Sequence, residues 1–277
     1  MLVEIRDLYI EKPIVYDRVS YGYEDKWIGL MPGIDPDIGF VLKIIGIYPR
    51  ATPRVKGYIV VSDLETGELK MIADAASATG WRTATASALA TKLLLECDLR
   101  ERCRIEKLGL IGAGFQGDYH LRVFKILFDI DSIYVYDTDV NRSRYLCEKY
   151  NARMSPLESL LIESDVVIAA TSSLQPVVRG ELVKRGGIVV SIGAPRPVRE
   201  IDDTTRRRAG CALVDTVSGV SRESDDVRDI RLVELGDYIR GVRCEFREIK
   251  LYKSVGTSLL DIAIARHLLK RVASIKA

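Results

Sequence analysis

The spacing of apolar and polar positions changes twice along this chain. From residue 1 to 72 the apolar positions fall in short runs separated by turn residues. Phe40 to Ile47 is nearly continuous, Gly57 to Ser62 is a second run, and Thr66-Gly67 supplies a turn after it. This part is therefore expected to be mainly strands and turns. Between Arg82 and Cys97 small and apolar residues follow one another with a high alanine content, which predicts a helix able to pack closely on a neighbour. Beyond the charged stretch Arg100 to Glu106 the rhythm becomes strand then helix. Lys107–Ile111 is an apolar strand, a glycine-rich turn follows, and Tyr119–Phe128 has helical spacing. Ser132–Tyr136 reads as a strand and Asn141–Tyr150 as a polar helix. Asp165–Ala170 and Gly187–Ile192 read as buried strands, with a short helix expected over Gly180–Arg185, and Thr257–Ser274 reads as a final helix. Strands alternating with helices imply right-handed crossovers and a parallel sheet.

Composition narrows the class. Two hundred and seventy-seven residues, 47% hydrophobic and 29% charged, suit a folded protein of two domains. A net charge of +2, with both signs interspersed, gives no basic surface for nucleic acid. The N-terminus carries Glu4, Arg6 and Asp7 where a signal peptide needs an apolar run. The longest uncharged stretch, Val166 to Val178, is 13 residues, too short to span a bilayer. A cytoplasmic location without membrane association is expected. Five cysteines, with no C-x-x-C pair, argue against both a disulfide framework and a zinc site, so no metal is expected.

Candidate chemistry begins at Gly112-Ala113-Gly114-Phe115-Gln116-Gly117, a full G-x-G-x-x-G that follows a strand and opens a helix. In such a turn the first glycine permits the bend, the second lets backbone approach a pyrophosphate, and the third lets helix and strand pack. The helix N-terminus then faces the anion. Asp137 closes the next strand twenty residues after Gly117, where a carboxylate reads the ribose 2′-hydroxyl. It would repel a 2′-phosphate, so NAD is expected over NADP, although Arg142 and Arg144 just beyond are the kind of residue that accepts one. Lys43, inside the apolar run Phe40–Ile47, is informative by itself. Burial lowers a lysine pKa toward values at which it can pass a proton near neutrality. The alternative is a lysine reaching past its strand to solvent.

Several segments together resemble the ornithine cyclodeaminase/mu-crystallin family, which includes archaeal alanine dehydrogenases and ketimine reductases. They are Asp74 to Gly80-Trp81-Arg82-Thr83-Ala84 with Ser87–Ala90; Ile111–Gln116; Ala170-Thr171-Ser172-Ser173 with Pro176; Gly193-Ala194 to Pro197 with Arg199-Glu200; and Tyr252-Lys253-Ser254-Val255-Gly256 with Asp261. The resemblance implies an α/β fold in which a Rossmann doubly wound parallel sheet is inserted into an α+β substrate and dimerisation domain made from both chain ends. The corresponding boundaries are 1–104 plus 250–277 and 105–249. It further implies a homodimer with the substrate beside the nicotinamide. By position Arg18 and Arg82 match the arginines that hold the substrate carboxylate, where a guanidinium fork offers two parallel hydrogen bonds. Lys43 matches the family's catalytic lysine. Thr171, Ser172, Ser173, Pro176 and Asp261 are expected to line the nicotinamide side. His120 and His267 are expected to be structural.

Two departures separate this chain from the cyclodeaminases that it resembles. Gly193-Ala194-Pro195 stands where they carry an acid after the fifth Rossmann strand, and Gly29 stands where they carry a glutamate before Met31-Pro32. Both carboxylates are the expected binders of a second amine. The segment ahead of the first arginine is also short, which bears on the expected dimer interface. The expectation is an NAD-dependent oxidoreductase acting on the Cα–N bond of a small amino or imino acid, with alanine as the first candidate. The alternatives are an ornithine cyclodeaminase using NAD catalytically, and a non-catalytic crystallin-like binder of NAD(P).

Overall fold

A computed structural model describes residues 1–51 and 54–276. The chain opens with helix α1 (Leu2–Glu11) and strands β1 (Ile14–Val15), β2 (Val19–Tyr23), β3 (Lys26–Asp35), β4 (Gly39–Ile47), β5 (Val55–Ser62) and β6 (Leu69–Asp74). Helix α2 (Ala75–Leu94) leads to β7 (Cys103–Ile111), α3 (Phe115–Leu127), β8 (Phe128–Tyr136), α4 (Val140–Tyr150), β9 (Arg153–Met154) and α5 (Leu157–Glu163). Then come β10 (Val166–Ala169), β11 (Ile188–Ser191), α6 (Asp203–Ala209), β12 (Cys211–Val214) and α7 (Val217–Glu223). The chain ends with β13 (Arg231–Glu234), α8 (Leu235–Ile239), β14 (Lys250–Lys253) and α9 (Ser258–Lys276). By its internal contacts it divides into two compact units, Met1–Thr83 with Gly256–Ala277, and Ala84–Val255.

The first unit is an antiparallel sheet in the order β1-β3-β4-β5-β6, with β2 also paired to β3. Helix α9 packs across β3, β4 and β5 and against α1. Alternation along β4 sends Val41, Lys43 and Ile45 to the buried face, while Ile44 is exposed. The opposite face carries a cross-strand row in which Val19 pairs with Leu30, Leu30 with Ile44 and Ile44 with Tyr58. Val19, Ile44 and Tyr58 of this apolar row are exposed.

The second unit is a parallel sheet in the order β13-β12-β14-β11-β10-β7-β8-β9. Its chain order reverses between β7 and β10, the place where doubly wound sheets open a ligand crevice at the carboxyl ends of their strands. The last strand, β14, inserts between β11 and β12. The α/β class and the inserted doubly wound sheet are thus as expected.

Four local expectations need correction. Residues 2–11 form a helix, because Leu2, Ile5, Leu8 and Tyr9 make one buried stripe at helical spacing. Gly180–Arg185 is a turn. The chain there runs so close to α6 that a Cβ on Gly180 would lie 2.6 Å from the Thr204 carbonyl carbon, and so short a segment gains little from nucleating a helix. Strand β14 and the end of α2 belong with the second unit: β14 fills a gap in its sheet, and the Lys250 Nζ on that strand donates to the Leu94 carbonyl of α2 at 2.6 Å.

The fourth concerns the cysteines. Cys97 is bonded to Cys103 and Cys211 to Cys244, with Cα separations of 6.2 and 5.8 Å, and Cys147 is free. Parity and the missing C-x-x-C spacing do not reveal such pairs, because the fold brings together residues separated by 6 and 33 positions. Closing the longer loop constrains the unfolded chain more. Serine at both Cys211 and Cys244 is expected to cost ~3–4 kcal/mol, and serine at both Cys97 and Cys103 about 2 kcal/mol. Thermal melts in non-reducing buffer should rank the two double variants in that order; equal midpoints would remove loop length as the cause.

Candidate functional site

The first cluster of candidate residues lies in the first unit. Lys43 is 1% exposed, and its Nζ donates to the Asp261 Oδ1 at 2.9 Å. Asp261 sits in the first turn of α9 and is fully buried. Arg82, on α2, brings its Nε within 2.8 Å of the same Asp261 oxygen. One carboxylate therefore serves two cations. The lysine does not reach solvent, and its pKa is lowered to about 7. Burial is the main cause, the Arg82 charge adds to it, and the Asp261 charge opposes it.

Arg18 completes the arrangement. Its Nη2 donates to the Gly256 carbonyl at 3.3 Å, and its guanidinium lies 5.5 Å from the centre of the Trp27 ring. Gly256 has φ +88°, and a Cβ built on it would lie 3.0 Å from the Arg82 Nη2 and 3.3 Å from the Arg18 Nη2. Glycine at this position leaves room for two guanidinium groups to converge. Among the described residues, the Arg82 Nη1 and the Asp261 Oδ2 are buried without a hydrogen-bond partner. A buried donor left unmade costs about 1–3 kcal/mol, and a bound carboxylate would satisfy it. Asp261, expected to line the nicotinamide side, is engaged with Lys43 and Arg82. That pairing was hidden in the sequence by a separation of 218 residues.

The second cluster lies in the parallel sheet. Gly112 has φ +98°, and a Cβ there would lie 2.8 Å from the Ala170 carbonyl carbon. A Cβ on Gly114 would meet nothing within 4 Å, so that backbone borders open space. Gly114 is the N-cap of α3 and provides no side-chain hydrogen bond, which leaves the first-turn N–H groups to an anion. Asp137 reaches this loop, its Oδ2 accepting from the Ala113 N–H at 2.6 Å. Phe115 is exposed, its ring 4.7 Å from that of Tyr119. Gln116 accepts at its carbonyl from His120, whose other ring nitrogen meets the Ser87 hydroxyl at 2.9 Å. Burial lowers the His120 pKa to about 4, so it is neutral and structural. His267 contacts Glu4 at 3.0 Å. Arg142 is held by Asp139 at 3.3 Å, and Arg144 by Asn141. This cradle fits a dinucleotide: an uncapped helix start, an open glycine and a carboxylate at the neighbouring strand end.

Behind the loops after β10 and β11 is a buried charge network that the sequence reading did not single out. The Glu200 Oε1 accepts from the Thr171 N–H at 2.6 Å and from the Thr171 hydroxyl at 2.9 Å. The Glu200 Oε2 accepts from Ser191 and from the Gly193 N–H, both at 2.7 Å. Lys253 donates to Asp226 at 2.7 Å and to the Gly193 carbonyl at 2.6 Å. All three charged residues are fully buried. Burial raises the Glu200 pKa despite these donors. The network fixes Thr171 and Gly193, which leave adjacent strands. Ser172 is exposed, Ser173 is half-buried with its hydroxyl donating to the Gln175 carbonyl at 2.6 Å, and Pro176 is half-buried. Lys253 was legible by the reasoning applied to Lys43, a lysine within an apolar strand; Asp226 carried no comparable signal. Among the described residues no three His, Cys, Asp or Glu side chains are placed to hold a metal ion, and no helix is long and apolar enough to cross a membrane.

Known proteins resemble this chain along nearly its whole length. Ketimine reductase mu-crystallin of Mus musculus is 29% identical over 260 residues, covering 87% of this chain and 79% of its own. Alanine dehydrogenase of Archaeoglobus fulgidus is 27% identical over 259 residues, 87% of this chain and 74% of its own. The structure of Thermococcus litoralis Δ1-pyrroline-2-carboxylate reductase with NADH and L-proline superposes with a TM-score of 0.87 at 26% identity, covering 100% of this chain and 93% of that one. Residues 11–276 match the family as a whole; the chain belongs to the ornithine cyclodeaminase/mu-crystallin family.

Proposed function

We propose that this protein is an NAD(H)-dependent oxidoreductase that interconverts a small imino acid and the corresponding amino acid. The observation that carries the reading is the buried Lys43–Asp261–Arg82 cluster, with its unmatched Arg82 Nη1. Gly112, Ala113, Gly114, Phe115, Gln116, Gly117 and Asp137 would hold the dinucleotide, with Thr171, Ser172, Ser173 and Pro176 toward the nicotinamide. When bound, that cofactor supplies or accepts the hydride at the substrate Cα. Everything else falls to side chains. Arg82 and Arg18 take the carboxylate, which fixes the orientation of the adjacent Cα. Lys43 holds a proton for the substrate nitrogen, giving it up on reduction and taking it back on oxidation. Asp261 anchors the Lys43 ammonium and balances the charge around it. Reduction of imino acids is favoured over cyclodeamination because Gly29 and Gly193-Ala194-Pro195 offer no carboxylate to a second amine. A crystallin-like role without turnover leaves the perturbed Lys43 unexplained.

The row Val19, Leu30, Ile44 and Tyr58, exposed at all but Leu30, supports a homodimer formed through the outer face of the antiparallel sheet, since a contiguous apolar surface of this kind marks an interface. Light scattering after gel filtration should give twice the chain mass, and Ile44→Lys with Tyr58→Lys should give a folded monomer. A monomeric unmodified protein would remove this assignment.

Lys43 dictates the pH behaviour. Its ammonium prevails below about 7 and its free amine above. Reduction of small 2-imino acids with NADH should therefore weaken as pH rises through about 7, and oxidation of the amino acid should strengthen over the same interval. Lys43→Met should keep the fold and NADH binding, lower turnover ~10²-fold or more, and flatten both profiles. Consumption of NADH with none of the 2-imino acids, or ammonia release from ornithine without net NADH change, would overturn the reading.

Cofactor choice rests on Asp137. Its carboxylate is fixed by the Ala113 and Asp139 N–H groups beside the glycine loop, so a 2′-phosphate would meet a negative charge. NADH is expected to bind at least several-fold more tightly than NADPH, and Asp137→Ser to narrow the gap. Fluorescence titration of both cofactors checks it; equal affinities in the unmodified protein would refute it.

A further inference from the structure

Trp27 occupies a place that the proposed chemistry does not use. It stands two residues from Gly29 and four from Met31 on β3, and Met31 pairs directly with Lys43 on β4. Directly paired residues point to one face of a sheet, and positions i, i+2 and i+4 of a strand share that face. Trp27, Gly29 and Met31 therefore lie on the face that carries Lys43. The indole folds back over Gly29: a Cβ built on Gly29 would lie 3.0 Å from the Trp27 Cζ2 and 3.1 Å from its Cζ3. Glycine at 29 is thus what leaves room for the ring over the strand, on the face that also carries Lys43. Its other neighbour is the Arg18 guanidinium, 5.5 Å from the ring centre, and the Arg18 Nη2 is bonded to the Gly256 carbonyl where Arg82 also converges. The indole is only half-buried, so it presents surface.

We propose that Trp27 is the specificity-determining residue of this site: its indole, seated over Gly29, forms the apolar wall against which the substrate side chain rests and limits that side chain in length. The assignment rests on the functional reading above for the identity of the ligand, a carboxylate held by Arg18 and Arg82. A carboxylate anchored there carries its Cα and side chain into the space bounded by Lys43 on one side and the indole on the other. A small or flat ring fits against the aromatic face with favourable contact. A longer chain meets the ring, and a second ammonium meets the positive charge of Arg18. Pockets of this kind discriminate about tenfold or more per methylene-sized step.

The test measures a ratio. Pyrrole-2-carboxylate and the larger indole-2-carboxylate are titrated calorimetrically into the NADH-loaded protein, unmodified and as Trp27→Ala and Trp27→Phe. The unmodified protein should prefer the smaller ligand by about tenfold or more. Trp27→Ala should shift that preference toward the larger ligand by at least about tenfold, and Trp27→Phe by much less. Loss of the Arg18–indole contact would weaken both ligands together and cancel in the ratio. A preference in Trp27→Ala within about twofold of the unmodified protein, with unfolding curves showing both folded, overturns the assignment. Where Trp27→Ala does not fold, Trp27→Leu takes its place, and an unshifted ratio in that folded variant overturns the assignment equally. Turnover is read in parallel with imino acids. A size shift in binding without turnover counts for Trp27 and against the oxidoreductase reading, whereas turnover without a size shift counts the other way.

Discussion

One buried carboxylate organises the chemistry. Asp261 has no access to water, and it faces two cations, Lys43 and Arg82, with Arg18 close behind at Gly256. A single negative charge cannot balance so many positive ones. A low-dielectric site relieves such an excess either by deprotonating the group that can release a proton or by taking in an anion. Both routes matter here. Arginine cannot give up its proton near neutrality, so the release falls on Lys43, whose pKa lies at about 7. The remaining excess favours a ligand carboxylate. On the proposed reading the same imbalance prepares both the proton carrier and the anchor for the substrate, and an arriving carboxylate would pull Lys43 back toward its charged form.

Much of this was legible along the chain, for definite reasons. The glycine loop and Asp137 are local: a strand, a turn and the next strand end fix them within 26 residues, Gly112 to Asp137. Lys43 betrayed itself through its apolar neighbours, and period-two alternation gave its direction. What could not be read were pairings set by tertiary closure. Asp261 lies 218 positions from Lys43, and only the packing of α9 on β4 brings the two together. Nothing along the chain marks Trp27, because the seat of its ring depends on the missing side chain at Gly29. The cysteine bonds failed to show for the same reason, since parity and local spacing say nothing about residues that the fold brings together from 33 positions apart. Helix α1 was lost because its stripe is short and precedes a long β region.

The second unit shows how much buried polarity a parallel sheet tolerates when every group is answered. Glu200 receives four hydrogen bonds, from Thr171 twice, Ser191 and Gly193. Lys253 and Asp226 neutralise each other beside it. Such a network adds little net stability compared with apolar packing. Its value lies in geometry: it ties loops leaving β10 and β11 to one rigid point behind the crevice. The two buried lysines therefore have different surroundings. Lys253 is enclosed by acceptors and by two acids, whereas Lys43 shares its one acid with an arginine and titrates near neutrality.

The route of the chain between its two units has an evolutionary consequence. The backbone crosses at Thr83–Ala84 and again at Val255–Gly256. The first crossing follows Arg82 by one residue, and the second ends on Gly256, the glycine that makes room for the guanidinium pair. The nucleotide-binding unit is therefore not a cassette that can be exchanged silently. Any graft joined at those natural seams would meet the chain next to Arg82 and at Gly256. Asp137 and the glycine loop, by contrast, lie well inside 84–255. A change in the length of either seam would fall directly beside Arg82 or at Gly256, where the two guanidinium groups converge.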